Sequence, residues 1–283
     1  MIDRLAIVGV GLLGGSLAQA VRARALAREI VGIGRDVSRM QPALRDGVLD
    51  RATTDIAEGV AGADRIVLAA PVLANEPLLA RVWATAPAGA VVTDVGSTKR
   101  RIVAAAERLA AGRSEIHFVG SHPMAGSERA GYAVARGALF QGAVVVLTPT
   151  EATDSAAAKS IGELWGAVGA RVVTLDPETH DRAVAAISHL PHAAAWALVD
   201  AVVAFEPDAL RIAGRGFKDT TRIAASDPDV WREILVDNRE ALQASLAAFR
   251  RALDDLEALV AASDGPALTA YLARLKTTRE RLS

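Results

Sequence analysis

The chain contains no cysteine, which excludes disulfides, a thiol nucleophile, iron–sulfur clusters and thiolate zinc sites. It also lacks an excess of charge: 32 Lys and Arg stand against 33 Asp and Glu, for a formal charge of −1. General attraction to nucleic acid or to anionic headgroups is not expected, so an anionic ligand must be gripped by local groups. Long apolar runs are missing as well. Leu5-Ala6-Ile7-Val8 is interrupted by glycines too soon for a signal peptide, and no stretch of about 18 uninterrupted apolar residues marks a membrane span. The expectation is a cytoplasmic protein with neither membrane nor nucleic acid as partner. Aromatic residues are scarce at 4%, but hydrophobic residues reach 51% of 283 positions, enough to bury the cores of about two domains.

From residue 5 to about 175, short β-branched runs alternate with helical stretches, the pattern of parallel strands joined by crossover helices. The runs are Leu5–Val8, Ile30–Ile33, Ile66–Ala69, Ala90–Thr93, Phe118–Gly120, Val144–Leu147 and Val172–Thr174. Most are apolar on both faces, as strands covered on both sides should be. After Asp176-Pro177, an N-cap followed by proline at the first helical position, the strand signal ends. Asp227-Pro228 repeats that signature, and apolar residues from Trp231 to Val260 recur at helical spacing, predicting one helix over about 228–262. So long an apolar stripe asks for a partner surface. The sequence therefore reads as α/β: a Rossmann-type dinucleotide-binding domain over 1–176, then an all-α domain over 177–283 that builds a homodimer.

Gly9-Val10-Gly11-Leu12-Leu13-Gly14 follows the first strand and opens a helical stretch expected over Ser16–Arg28. Its glycines permit a tight turn, close approach of backbone to pyrophosphate, and helix–strand contact. Gly9, Gly11, Leu12, Leu13 and Gly14 are thus candidate cofactor contacts. An acidic residue at the end of the second strand would accept from the ribose 2′-hydroxyl of NAD. Gly34 stands there instead, followed by Arg35 and Asp36. Arg35 favours the 2′-phosphate of NADP and Asp36 keeps NAD open; the reading leans slightly to NADP.

Four polar clusters could carry chemistry, and three of them also have plainer readings. Asp94-Val95-Gly96-Ser97-Thr98-Lys99 follows a strand, but Ser, Gly and Lys are ordinary loop residues. Ser121-His122-Pro123-Met124-Ala125-Gly126-Ser127-Glu128 follows the next. His122 at a strand end beside a nicotinamide site is placed to accept a hydroxyl proton, or it caps the loop. Ser188-His189-Leu190-Pro191-His192 begins the helical domain, and Pro191 frees the Ile187 carbonyl and bends the helix. Two histidines three apart suggest a metal, but no third ligand completes the set. Gly214 to Ala224 is a break between helices rich in cations, where Arg222 suits a carboxylate or pairs with Asp219.

In their order along the chain, Gly9-Val10-Gly11-Leu12-Leu13-Gly14-Gly15-Ser16-Leu17, the first three of these clusters and Gly216-Phe217-Lys218-Asp219-Thr220-Thr221-Arg222-Ile223-Ala224 resemble the prephenate and arogenate dehydrogenases of tyrosine biosynthesis, over nearly the whole chain. The resemblance implies an NAD- or NADP-dependent oxidative decarboxylation of a dianionic cyclohexadienyl substrate. It implies that His122 accepts the ring hydroxyl proton, with Ser97 hydrogen-bonding beside it. Arg222 would clamp the ring carboxylate and Lys99 would add charge nearby. Ser188, His189 and His192 would face the substrate, Ser127 and Glu128 would line the entrance, and Trp231 would lie close to the pocket. No metal is implied. Other readings are a β-hydroxyacid dehydrogenase or imine reductase, which commonly place a lysine on the interdomain helix, and a non-catalytic NADP-binding sensor.

Overall fold

The structure, a computed structural model, describes residues 1–126 and 129–282. Among these, eight strands form one sheet: β1 (Ile2–Val8), β2 (Ala27–Ile33), β3 (Arg51–Thr53), β4 (Arg65–Leu68), β5 (Val91–Asp94), β6 (His117–Pro123), β7 (Val144–Thr148) and β8 (Arg171–Thr174). They lie in the order β3-β2-β1-β4-β5-β6-β7-β8. The order reverses between β1 and β4, which opens a crevice at the carboxyl ends of those strands. The connecting helices are α1 (Leu12–Ala23), α2 (Gln41–Arg45), α3 (Ile56–Val60), α4 (Val72–Thr85), α5 (Arg100–Ala110) and α6 (Ser155–Ala167).

Alternation along β1 divides the core in two. Leu5 and Ile7 join Leu17, Ile30 and Trp165 on one face, while Ala6 and Val8 join Ile66, Leu68 and Trp83 on the other. Side chains that alternate across a pleat and are buried on both sides give the near-continuous apolar runs seen in the sequence.

Within and just beyond the sheet the structure departs from the sequence expectation. A short strand, β3, adds an edge beside β2. β7 runs antiparallel to β6, and among the described residues between them the chain holds a 3-10 turn, Tyr132–Val134, in place of a crossover helix. The first helix begins at Leu12 and ends at Ala23, where Ala25 turns the chain with φ +50°. The segment expected as one helix over 228–262 is two, α10 and α11, separated at Asn238.

Residues Met1–Asn238 make one compact unit. Its helical part comprises α7 (Pro177–Val184), one π-helical turn (Ala185–His189), α8 (Leu190–Phe205), α9 (Arg215–Thr221), a 3-10 turn (Arg222–Ala225) and α10 (Pro228–Asp237). Thus the Gly214–Ala224 cluster, expected as a break, itself folds into α9 and the turn after it. Asp176 caps α7 by accepting from the Thr179 N–H at 2.9 Å, and Asp227 caps α10 by accepting from the Asp229 N–H, also at 2.9 Å. The helical run Pro177–Phe205 is long and apolar enough on average to cross a membrane, which a count of uninterrupted apolar residues does not reveal. Its first turns are bonded to loops of the sheet, as described below. From Arg239 onward a second unit holds α11 (Arg239–Ala261) and α12 (Gly265–Glu280).

Candidate active site

The glycine loop has the geometry a dinucleotide needs. Gly9 has φ +101°, and a Cβ there would stand 2.5 Å from the Ala69 carbonyl oxygen. A Cβ on Gly14 would overlap the Gly9 carbonyl oxygen. By contrast nothing lies within 4 Å of a Cβ at Gly11, so that turn is open to an incoming group. The first N–H groups of α1, at Leu12 and Leu13, have no acceptor within the helix and point the positive end of its dipole outward. Tight packing behind the loop and open space in front fit a pyrophosphate.

At the end of β2, a Cβ at Gly34 would meet the flexible end of Met40, Cε and Sδ, at 3.2 Å, a tight contact. Asp36 accepts from the Ser38 N–H at 2.8 Å, and its bonds to Ser38 hold its carboxyl below the usual carboxylate range. Arg35 is exposed.

Next along the sheet, β5 and β6 carry Ser97 and His122. Ser97, partly exposed, follows β5 between buried Gly96 and Thr98, and buried His122 lies near the end of β6. Beneath them, Lys99 is fully buried: its ammonium donates to the Asp94 carboxylate and, at 3.0 Å, to the Ser121 carbonyl. Burial pushes the Asp94 carboxyl up and the Lys99 ammonium down from their ordinary values. Here the structure corrects the expectation for Lys99. Its charge is spent on Asp94 inside the protein, so it braces the ends of β5 and β6 and does not face an incoming anion.

Helix α7 brings two residues the motifs did not include. His122 Nδ1 lies 2.9 Å from His180 Nε2, and His180 Nδ1 lies 2.8 Å from Asp181 Oδ1. Asp181 in turn accepts from the backbone N–H of Lys99 at 2.8 Å and of Arg100 at 3.0 Å. It therefore caps α5 from another helix, satisfying donors that the first turn leaves free. Asn238 Nδ2 donates to the Asp181 carbonyl at 2.7 Å and approaches His189 Nδ1 at 3.2 Å. This recruitment of the Asn238 carboxamide accounts for the break between α10 and α11.

The π turn that precedes Pro191 sets the last histidines. Proline has no N–H to give the Ile187 carbonyl, and the turn widens there, as π bulges at functional sites often do. His192 Nδ1 then donates to the Ser188 carbonyl at 3.0 Å, and its ring stacks on Trp231 with centroids 3.6 Å apart. Trp196 donates its indole N–H to the Ala224 carbonyl at 2.9 Å, which ties the Arg222–Ala225 turn to α8. A cavity of about 530 Å³ beside this aromatic group is walled by Trp196, Trp231, Ala224, Ser226 and Leu235; the His122 cluster lies outside it.

Contacts join the histidines into a row: His122 lies 2.9 Å from His180, Asn238 bridges Asp181 to His189, and His189 and His192 both pack on Trp231. Arg222, exposed, lies on the turn that Trp196 ties to α8, and its charge lowers His192. Burial is the largest cause that holds His122 well below the ordinary imidazole value, lowers His189 from 6.5 to about 4, and lowers His192. All three are neutral at pH 7. Because Asn238 Nδ2 is a donor, His189 Nδ1 accepts from it and Nε2 keeps its proton.

These shifts fix a sign. A base with a depressed folded value stabilises fully above its unfolded value, and the contribution is lost as pH falls through the window between the two. For His189 the window runs from 6.5 to about 4, a loss of roughly 3 kcal/mol. Thermal melting should be flat above pH 7 and fall steeply between pH 6.5 and 4. A melting temperature unchanged across that window would show that His189 is charged in the folded protein.

Ser127 and Glu128 lie outside the described residues. Sequence reasoning missed His180, Asp181 and Asn238; an adjacent His-Asp pair inside the first turns after the Asp176 cap was the available signal for two of them. Among the described residues no group of three or more histidines and carboxylates is arranged to hold a metal.

Residues 17–174 match the family described as prephenate dehydrogenase, nucleotide-binding domain, and residues 176–274 match prephenate dehydrogenase, dimerization domain. A prephenate dehydrogenase of Bacillus subtilis is 35% identical over 289 aligned residues, covering 100% of this chain and 76% of that one. The crystal structure of prephenate dehydrogenase from A. aeolicus in complex with hydroxyphenyl propionate and NAD+ superposes with a TM-score of 0.93 at 34% identity, covering 100% of this chain and 99% of the other. Synechocystis arogenate dehydrogenase gives a TM-score of 0.87 at 32% identity, over 99% and 100% of the two chains. With both halves matched over nearly their full length, the chain belongs to the prephenate dehydrogenase family, and is an oxidoreductase of the prephenate and arogenate type.

Proposed function

We propose that this enzyme oxidises and decarboxylates prephenate to 4-hydroxyphenylpyruvate, or arogenate to tyrosine, with His122 as the proton acceptor. The observation that carries this reading is the buried His122 near the end of β6, held 2.9 Å from His180, with burial keeping its imidazole uncharged. His122 accepts the proton, and the exposed Arg222 supplies the cation for an anion. A nicotinamide, when bound, takes the hydride that leaves ring C4. His122 Nε2 accepts the hydroxyl proton, and Ser97 hydrogen-bonds to the same oxygen. The neutral His189 offers Nε2–H to the substrate as a donor, and Ser188 and His192 complete that wall. Arg222 grips the ring carboxylate through its fork; carbon dioxide then leaves, its bonding pair passes through the ring to the oxygen, that oxygen takes the proton back from His122, and aromaticity makes the step effectively irreversible. Ser127 and Glu128 are assigned to the entrance.

The Gly9–Gly14 loop and the start of α1 hold the pyrophosphate. We read the ribose site as favouring NADP: Gly34 stands where an acidic residue would sit, Asp36 accepts from Ser38, and the exposed Arg35 is left to meet a 2′-phosphate. The functional division is a nucleotide half over 1–176 and a substrate and dimer half over 177–283. We read the enzyme as a cytoplasmic homodimer joined through the C-terminal helices. Support comes from the apolar residues that α8 and its surroundings leave in solvent, Phe205 at 92% and Ile212 at 86% exposed. Replacing Arg222 by alanine should raise the substrate KM by about 10- to 100-fold, the scale of a lost charge-assisted bond, with kcat little changed. An unaltered KM would remove Arg222 from substrate binding.

A further inference from the structure

His122, His180 and Asp181 stand in line at 2.9 and 2.8 Å, wholly inside the protein. A carboxylate only accepts, so His180 Nδ1 carries a hydrogen and donates it to Asp181. With that hydrogen on the Asp181 side, His180 turns Nε2 to His122 as an acceptor, and in the 2.9 Å contact His122 Nδ1 is the donor. His122 is thereby held as the Nδ1–H tautomer, which leaves the Nε2 lone pair as its basic position. We propose that His180 and Asp181 are a positioning relay for the reaction assigned above: they select the reactive tautomer of His122, fix its ring, and balance the charge it acquires. The inference rests on His122 being the proton acceptor.

The balance of the step is simple. The substrate O–H bond breaks and an N–H bond forms at His122 Nε2, so a neutral imidazole becomes an imidazolium. Its Nδ1–H stays on His122, bonded to His180, and the new positive charge is met by the Asp181 carboxylate one ring away. That compensation matters because the surroundings oppose it. Lys99 beyond β5, His180 on α7 and His189 in the π turn all disfavour a charged His122. Lys99 itself is offset by Asp94, with Asp181 and Asp237 beyond. Asp181 is a fixed point of the fold, since it caps α5 through Lys99 and Arg100 and its carbonyl is held by Asn238.

Two variants at His180 separate a relay from a merely structural role. Phenylalanine fills the ring volume but offers Nδ1–H no acceptor; glutamine restores an acceptor oxygen without an imidazole. In the full-length enzyme with nucleotide and prephenate or arogenate, His180→Phe should lower kcat at least 30-fold while nucleotide Kd stays within twofold, and His180→Gln should recover most of that loss. Should His180→Phe fail to fold, Asp181→Asn gives the second reading: a lower kcat plateau and an acid limb of the kcat profile displaced to lower pH, because a negative charge that favours the imidazolium has gone. Nitrogen chemical shifts of the resting enzyme give a readout independent of turnover and should show His122 protonated at Nδ1. The relay is overturned by protonation at Nε2, by a His180→Phe enzyme with unchanged kcat, or by equal losses in the two His180 variants. If the unaltered enzyme reduces nucleotide with neither substrate, the assigned reaction fails, whereas reduction by the unaltered enzyme with any of those results sinks the relay alone.

Discussion

Replacing His122 by asparagine should lower turnover by about 100-fold or more, the scale of losing a positioned general base, and leave nucleotide affinity unchanged. The imidazole is the group at the end of β6 that can take a proton near neutral pH, and burial keeps it neutral and ready to do so. Asparagine keeps a polar side chain towards His180 but has no lone pair of comparable basicity. The Gly9–Gly14 loop is built on β1 and backed by Ala69 after β4, so its nucleotide contacts do not depend on residue 122. Steady-state turnover and a nucleotide titration of the same preparation check both halves. Undiminished turnover would take His122 out of the mechanism.

The second large effect concerns stability. Lys99→Met should cost about 3–5 kcal/mol, the range for removing one partner of a buried ion pair, because it strands the Asp94 carboxylate. That carboxylate is 0% exposed and, among the described residues, keeps the Gly96 and Ser121 N–H groups, at 2.8 and 3.2 Å. For a chain of this size the melting temperature should drop by roughly 10 °C. Adding Asp94→Asn to Lys99→Met should return much of the loss, since an amide needs no counter-charge to remain buried. A Lys99→Met protein of normal stability but raised substrate KM would reverse the assignment and put Lys99 back beside the substrate.

What the sequence disclosed follows from how local each signal is. The Gly9–Gly14 fingerprint, the apolar strand runs and the Asp176-Pro177 and Asp227-Pro228 caps are set by neighbouring residues, and they read correctly. Arg51–Thr53 is three residues long and partly polar, so nothing local marks it as a strand; only pairing with β2 makes it one. The break at Asn238 sits within an unbroken apolar period, and its cause is a carboxamide drawn to Asp181 and His189, 57 and 49 positions away in the chain. The site divides the same way. His122, His189, His192 and Arg222 stood out as motif residues, and contacts through His180, Asn238 and Trp231 join the three histidines. His180 and Asp181 acquire significance only when α7 lies against β6 and α5. Lysine is rarely buried unless paired, and the resemblance implies a Lys99 beside the substrate where the fold makes an internal brace on Asp94 and Ser121.

The account rests on a neutral imidazole removing a proton while the substrate loses hydride and carbon dioxide. The most direct test incubates the purified enzyme with each pairing of prephenate or arogenate with NAD or NADP, and follows reduced nucleotide and released carbon dioxide together. The account predicts equal amounts of the two products for at least one substrate, with faster reduction of NADP than of NAD. Absence of nucleotide reduction in all four mixtures, or reduction without carbon dioxide, would contradict it.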